Sequence, residues 1–201
     1  MTQHTQIIEK PDWVSWEDIK QCLVDAHSAN RAKGINMPTD RLPTDRIREV
    51  VENNGVMLVA LDGKKIVGTA AIIEKQSMSW YVKGTYAYFG FAGVIPKYCG
   101  QGLYKKLYQL REEIAQSKGY SVFVLNTHEK NKSILHLAKL NGYRLVSYFH
   151  EKREGHYNVV MAKWPAGCPF SKIYCRARFY YAYLRVHLST LLHNKQKLRL
   201  F

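Results

Sequence analysis

The chain has 201 residues, 46% of them hydrophobic and 23% charged, with a formal net charge of +14. That length and balance suit one globular domain with a full core, with room for an appendage. No apolar run approaches ~18 residues, so no membrane span is expected. The opening "MTQHTQIIEKPDW" is polar and lacks the apolar core of a signal peptide, so a cytoplasmic protein is the expectation.

In chain order, "SWEDIKQCLVDAHSANRAKG" predicts a helix. Ser15 caps it, Ile19, Leu23 and Ala26 recur at helical spacing, and Gly34 closes it. A proline-containing loop comes next. "TDRIREVVENNG" predicts a second helix, capped by Thr44 or Asp45 and stopped at Asn54-Gly55. Val56 to Leu61 and Lys65 to Ile73 are apolar runs around Asp62-Gly63-Lys64, a hairpin signal. Tyr86 to Val94 is a third strand, rich in aromatic residues. After a glycine turn, Leu103, Leu107, Leu110 and Ile114 make the stripe of a helix. "YSVFVLNT" predicts a buried strand, "NKSILHLAKLNG" a helix, and the stretch from Tyr143 to Trp164 two strands around Glu154-Gly155. Strand–helix–strand units after an antiparallel start predict an α/β fold with a mixed sheet. The expected division is residues 1–164 as one domain and 165–201 as a helical extension.

Charge is unevenly spread. Glu154 is the last acidic residue, while Lys163, Lys172, Arg176, Arg178, Arg185, Lys195, Lys197 and Arg199 lie beyond it. Phe170, Ile173, Ala177, Tyr181, Leu184, Leu188 and Leu191 recur at three- and four-residue steps, predicting a basic amphipathic helix. Three roles stand open for that stripe. It docks on the rest of the chain or on a second copy in a homodimer, lies on an anionic membrane, or binds nucleic acid. Docking is the default, because most apolar stripes are core. Cys22, Cys99, Cys168 and Cys175 form no CxxC pair, so reduced thiols and no metal site are expected.

The most informative stretch is "FAGVIPKYCGQGLYKKL", Phe91 to Leu107. A strand ends at Val94, and the chain turns at Pro96 and passes Gly100 and Gly102 into a helix. Unpaired N–H groups at a helix start carry partial positive charge, and glycines let an anion approach the backbone. The result is a workable phosphate cradle, although such a turn alone is also an ordinary connection. Further on, Asn131 opens a helix and Gly142-Tyr143 closes it.

With Val94, Pro96, Gly100, Gly102, Asn131, Gly142 and Tyr143 in these places, the sequence resembles the GNAT superfamily of acetyl-CoA-dependent N-acyltransferases. The resemblance covers about Trp13 to Trp164 in element order. It implies that the coenzyme A diphosphate rests on backbone amides of Cys99, Gly100, Gln101, Gly102, Leu103 and Tyr104. It also implies that the pantetheine arm runs along Phe91, Ala92, Gly93 and Val94 as an added strand, and that Asn131 touches it or caps its helix. The implied activity is acyl transfer from acetyl-CoA to a primary amine, on a small molecule or a peptide, in a ternary complex. A non-catalytic acyl-CoA-binding module and a basic-tailed membrane or nucleic-acid binder are the alternatives, nucleic acid being the less favoured partner.

Three positions depart from the family pattern. Cys99 stands where Arg or Gln is usual, Tyr104 where Gly or Ala is common, and Ala138 where a Tyr often serves as acid. Cys99 reads as a small turn residue, because no base is adjacent to make it a nucleophile. Glu74 and His128 are the candidate bases and Tyr104 a candidate acid, each also readable as a solvated or surface side chain.

Overall fold

The structure is a computed structural model and describes residues 5–35, 37–151 and 156–198. The chain divides into two compact units, Met1–Val124 and Leu125–Phe201.

In the first unit, strands β1 (Thr5–Glu9), β2 (Gly55–Asp62), β3 (Lys65–Ser79) and β4 (Val82–Val94) are neighbours in that order, each antiparallel to the next. Strand β5 (Phe123–His128) starts beside β4 in parallel, with Ala87 opposite Phe123 and Tyr88 opposite Val124. Helices α1 (Trp16–Ala26), α2 (Ser28–Arg31), α3 (Thr44–Asn54) and α4 (Leu103–Ser117) complete the unit. The near-continuous apolar runs of β2 and β3 reflect burial on both faces. Met57, Val59, Leu61, Ala71 and Ile73 pack under Ile19 and Leu23 of α1 and Ile47 and Val51 of α3. Val56, Leu58, Ala60, Val67 and Ala70 pack under Leu103 and Leu107 of α4. Each large apolar side chain among these contributes about 1.5–3 kcal/mol at full burial.

The second unit holds the rest of β5, helix α5 (Lys132–Leu140), strands β6 (Arg144–Glu151) and β7 (His156–Lys163), and helix α6 (Lys172–Leu198). Its strand order is β5-β7-β6, with β6 and β7 antiparallel. Tyr148 of β6 anchors the packing of α6. Its ring lies 6.0 Å from Phe179, 5.0 Å from Tyr183 and 5.7 Å from His187, measured between centroids. The Tyr148 hydroxyl donates to Glu129 at 2.5 Å. Arg144 donates to the Phe170 carbonyl at 2.6 Å, tying the segment before α6 to β6.

Several local expectations are corrected. Strand β1 pairs along β2, although the sequence there reads only as a polar N-terminus. The first helix breaks at His27, where Ser28 Oγ donates to Asp25 O and competes with the helical ladder. Ser15 does cap α1, accepting from the Asp18 N–H at 3.0 Å. Helix α3 has Pro43 at its N-cap and no side-chain cap, so neither Thr44 nor Asp45 serves. The β3–β4 hairpin continues past Ile73 to the Ser79–Val82 pair, because ladder hydrogen bonds hold polar residues that carry no apolar pattern. The Glu154-Gly155 turn lies outside the described residues.

The largest correction concerns α6. Its inner face is Cys175, Phe179, Ala182, Tyr183 and His187, whereas Ile173, Tyr181, Leu184 and Leu188 of the predicted stripe are exposed. The Leu191 side chain lies outside the described residues. Among the described residues no helix is long and apolar enough to cross a membrane.

Close packing of β4 against α1 yields a test. A Cβ added at Gly93 would stand 2.7 Å from the Ala26 Cβ. Gly93→Ala is expected to cost about 1–3 kcal/mol in denaturant unfolding, because the strand and helix must move apart.

Candidate active site

The strand, turn and helix singled out in the sequence form one continuous element of the first unit. Its key feature is a break in the β3–β4 ladder. Pairing passes from Thr69–Gly93 to Ala71–Gly90, so Ala70 alone faces both Phe91 and Ala92. This is a β-bulge, and Phe91 has φ 43°, the one positive φ at a non-glycine among the described residues. Such a conformation costs on the order of 1–3 kcal/mol and collects at functional sites. The fully buried Thr69 donates its hydroxyl to the Phe91 carbonyl at 3.0 Å, fixing the bulge.

The bulge redirects the last residues of the strand. Phe91 packs toward the α1–α3 core, while Ala92 and Val94 pack toward α4. Within this unit the parallel ladder to β5 pairs Ala87 with Phe123 and Tyr88 with Val124.

Beyond Val94 a short 3-10 turn, Pro96–Tyr98, leads to the glycines. Tyr98 is buried and its hydroxyl donates to Asp62 at 2.6 Å, which pins the turn to the end of β2. Gly100 has φ 81° and Gly102 has φ 75°, and a Cβ at either would meet nothing within 4 Å. Gly102 is the N-cap of α4 and supplies no side-chain cap, and no acid lies in the first turn. No side chain caps the first amides of α4, and such uncapped amides are the donor set an anion needs. Lys105 and Lys106 are exposed beside it. This cradle fits a diphosphate.

Cys99 is exposed, and its thiol donates to the Val94 and Ile95 carbonyls at 3.6 and 3.7 Å. It closes the strand end as a small donor. Leu103 is buried in the α4 core, and Gln101 donates to the Lys97 carbonyl at 3.3 Å, bracing the turn. Tyr104 is half-buried against the same core, on the first turn of α4.

The candidate bases fare differently. Glu74 sits opposite Ala87, four residues before the bulge, and accepts from the Tyr120 hydroxyl at 2.6 Å. It lines a polar cleft of about 260 Å³ with Glu52, Lys118 and Tyr120, and no residue of the bulge or turn lines that cleft. The structure therefore does not bring Glu74 to the cradle. In the second unit, His128 is buried at the end of β5 rather than on the surface. Its Nδ1 accepts from the Lys130 N–H at 3.0 Å, so the neutral ring carries its proton on Nε2. Asn131 begins α5 without capping it; its amide donates to Thr127 Oγ1 at 3.1 Å. Ala138 is fully buried in α5.

Sequence reasoning missed Thr69 and His27. Thr69 carried no motif signal, being one β-branched residue in an apolar strand. His27 is buried with its ring 3.6 Å from where a Gly93 Cβ would stand, on the α1 side of β4. Tyr88, on the same strand, has its hydroxyl pKa pushed up to about 12, chiefly by burial. Arg111 of α4 is buried with its guanidinium 4.8 Å from the Phe89 ring and 5.3 Å from the Tyr108 ring.

Bulged strand, glycine turn and uncapped helix form a backbone cradle suited to an anion. Comparison with known proteins gives the family. Residues 16–143 match the Acetyltransferase (GNAT) family, and the chain belongs to that family. No curated protein matches the sequence. Solved structures resemble it in fold. An acetyltransferase from Streptococcus agalactiae 2603 is 20% identical with a TM-score of 0.61, covering 81% of this chain and 99% of that one. The ribosomal-protein-S18-alanine N-acetyltransferase from Escherichia coli is 14% identical with a TM-score of 0.60, over 83% and 99%. An N-acetyltransferase from Staphylococcus aureus Mu50 is 8% identical with a TM-score of 0.63, over 81% and 99%. At these identities the likeness is one of fold.

The cradle is testable by an isosteric pair. Asn and Asp both tolerate the left-handed backbone that Gly102 adopts, and only Asp adds charge. Gly102→Asp is expected to weaken coenzyme A binding at least about tenfold relative to Gly102→Asn in calorimetry, at equal thermal stability.

Proposed function

We propose that the protein is an acyl-CoA-dependent N-acyltransferase, with acetyl-CoA as donor and a primary amine as acceptor, working by direct transfer in a ternary complex. The observation that carries this reading is the continuity of the Thr69-pinned bulge with the uncapped start of α4. On this reading the α4 amides hold the diphosphate, and β4 from Phe91 to Val94 hydrogen-bonds the pantetheine arm. A backbone N–H at the bulge, released from the β3 ladder, polarises the thioester carbonyl. The amine lone pair attacks that carbon, the C–S bond breaks, the sulfur takes a proton, and the amine nitrogen loses one.

Among the candidates for proton transfer, Tyr104 is on the first turn of the cradle helix, beside the diphosphate on this reading and a pantetheine length from the sulfur, so it is not proposed as the acid. His128 Nδ1 already accepts from the Lys130 N–H and Glu74 accepts from the Tyr120 hydroxyl, so neither is proposed as base. An acceptor amine of low pKa meets this arrangement best, since it arrives largely unprotonated. The net charge of +14 disfavours a strongly cationic polyamine.

A second reading is an acyl-CoA-binding module without turnover, favoured by the buried Ala138 where the family often has a Tyr acid. Release of free coenzyme A over a panel of amines, amino sugars, amino acids and peptide N-termini separates the two. Turnover is expected with at least one acceptor class. Saturable acetyl-CoA binding with no release on any acceptor would leave the binding module standing.

A further inference from the structure

The outward face of α6 is unlike an ordinary solvent face. Its inward face is already occupied, through Phe179, Tyr183 and His187 around Tyr148. Yet on the side opposite Cys175, Ala182 and Val186, Ile173 is 80% exposed, Leu184 57% and Leu188 57%, with Tyr180 and Tyr181 beside them. At about 100° per residue these positions, with Ala177, fall within one stripe along the helix. Lys172 and Arg176 flank it on one side and Arg185 on the other, all exposed. The whole of α6 contains no Asp or Glu.

We propose that this outward face of α6 docks on an anionic membrane surface, with the helix lying in the plane of the headgroups. Each component has a part there. Ile173, Leu184 and Leu188 enter the acyl boundary. Tyr180 and Tyr181 place apolar rings inward and hydroxyls toward the headgroups. Lys172, Arg176 and Arg185 reach from the flanks to lipid phosphates, their stems lying over the stripe. The other occupants fit less well. Two copies meeting through this stripe would bring their flanking cations together with no acid on either helix to offset them. Nucleic acid would use the cations but has no need of a leucine–isoleucine stripe. Membrane docking is independent of the acyltransferase reading, and its test reads binding without turnover.

The intact protein is sedimented with vesicles of phosphatidylcholine alone and with added phosphatidylglycerol, across a sodium chloride series. Partitioning is expected to be at least about tenfold stronger on the anionic vesicles and to fall with salt. Leu184→Asp with Leu188→Asp is expected to reduce it at least about tenfold, with unchanged far-ultraviolet circular dichroism and unfolding midpoint. Arg176→Gln with Arg185→Gln, which leaves the apolar stripe intact, is expected to weaken anionic binding while sparing the weak neutral component. Equal binding to both vesicle types, or undiminished binding by the leucine pair variant, would overturn the proposal. So would a dimer in light scattering that the leucine variant dissolves while vesicles stay unbound, or salt-sensitive RNA binding without vesicle binding.

Discussion

One hydrogen bond organises the site: the Thr69 hydroxyl to the carbonyl of Phe91. A phenylalanine at φ 43° is unfavourable, and the ladder must give up a residue to accommodate it. A buried hydroxyl without an acceptor would itself be costly, so the bond satisfies Thr69 and holds the bulge at once. The consequences run down the chain. The bulge puts Ala92 and Val94 on the α4 side and Gly93 against Ala26 of α1. Val94 then enters the core beneath Leu107, and the chain leaves the sheet aimed at the two glycines and the start of α4. Without the bulge the strand would present the opposite face, and the turn would start from a different register.

What could be read from residues alone obeys a physical division. The cradle was legible because glycine at positive φ leaves a mark in sequence, and Gly100 and Gly102 both adopt it. The first helix start was legible because Ser15 caps through its own side chain. The bulge was not legible. A positive φ at Phe91 is imposed by tertiary contacts, and the residue type argues against it. The polar half of the β3–β4 hairpin was invisible for a related reason, since its stability lies in backbone bonds.

Helix α6 shows the limit of periodicity. Two apolar rows share the same three- and four-residue steps, one through Ile173, Ala177, Tyr181, Leu184 and Leu188, the other through Cys175, Phe179, Ala182 and Val186. Spacing cannot say which row packs. The second row does, because with Tyr183 and His187 beside it Phe179 is brought onto Tyr148. The candidate bases show a related limit: side-chain chemistry does not reveal partners, and Glu74 accepts from the Tyr120 hydroxyl while His128 Nδ1 accepts from the Lys130 N–H.

The central claim is that backbone amides at the bulge and at the start of α4 hold an acyl carrier together. Amide chemical shifts report on those groups directly. On titration with acetyl-CoA, the amides of Gly102 to Lys105 and of Phe91 to Val94 are expected to shift together along one saturation curve. Saturating shifts confined to the cleft by Glu52 and Glu74, or no shifts at millimolar acetyl-CoA, would contradict the account.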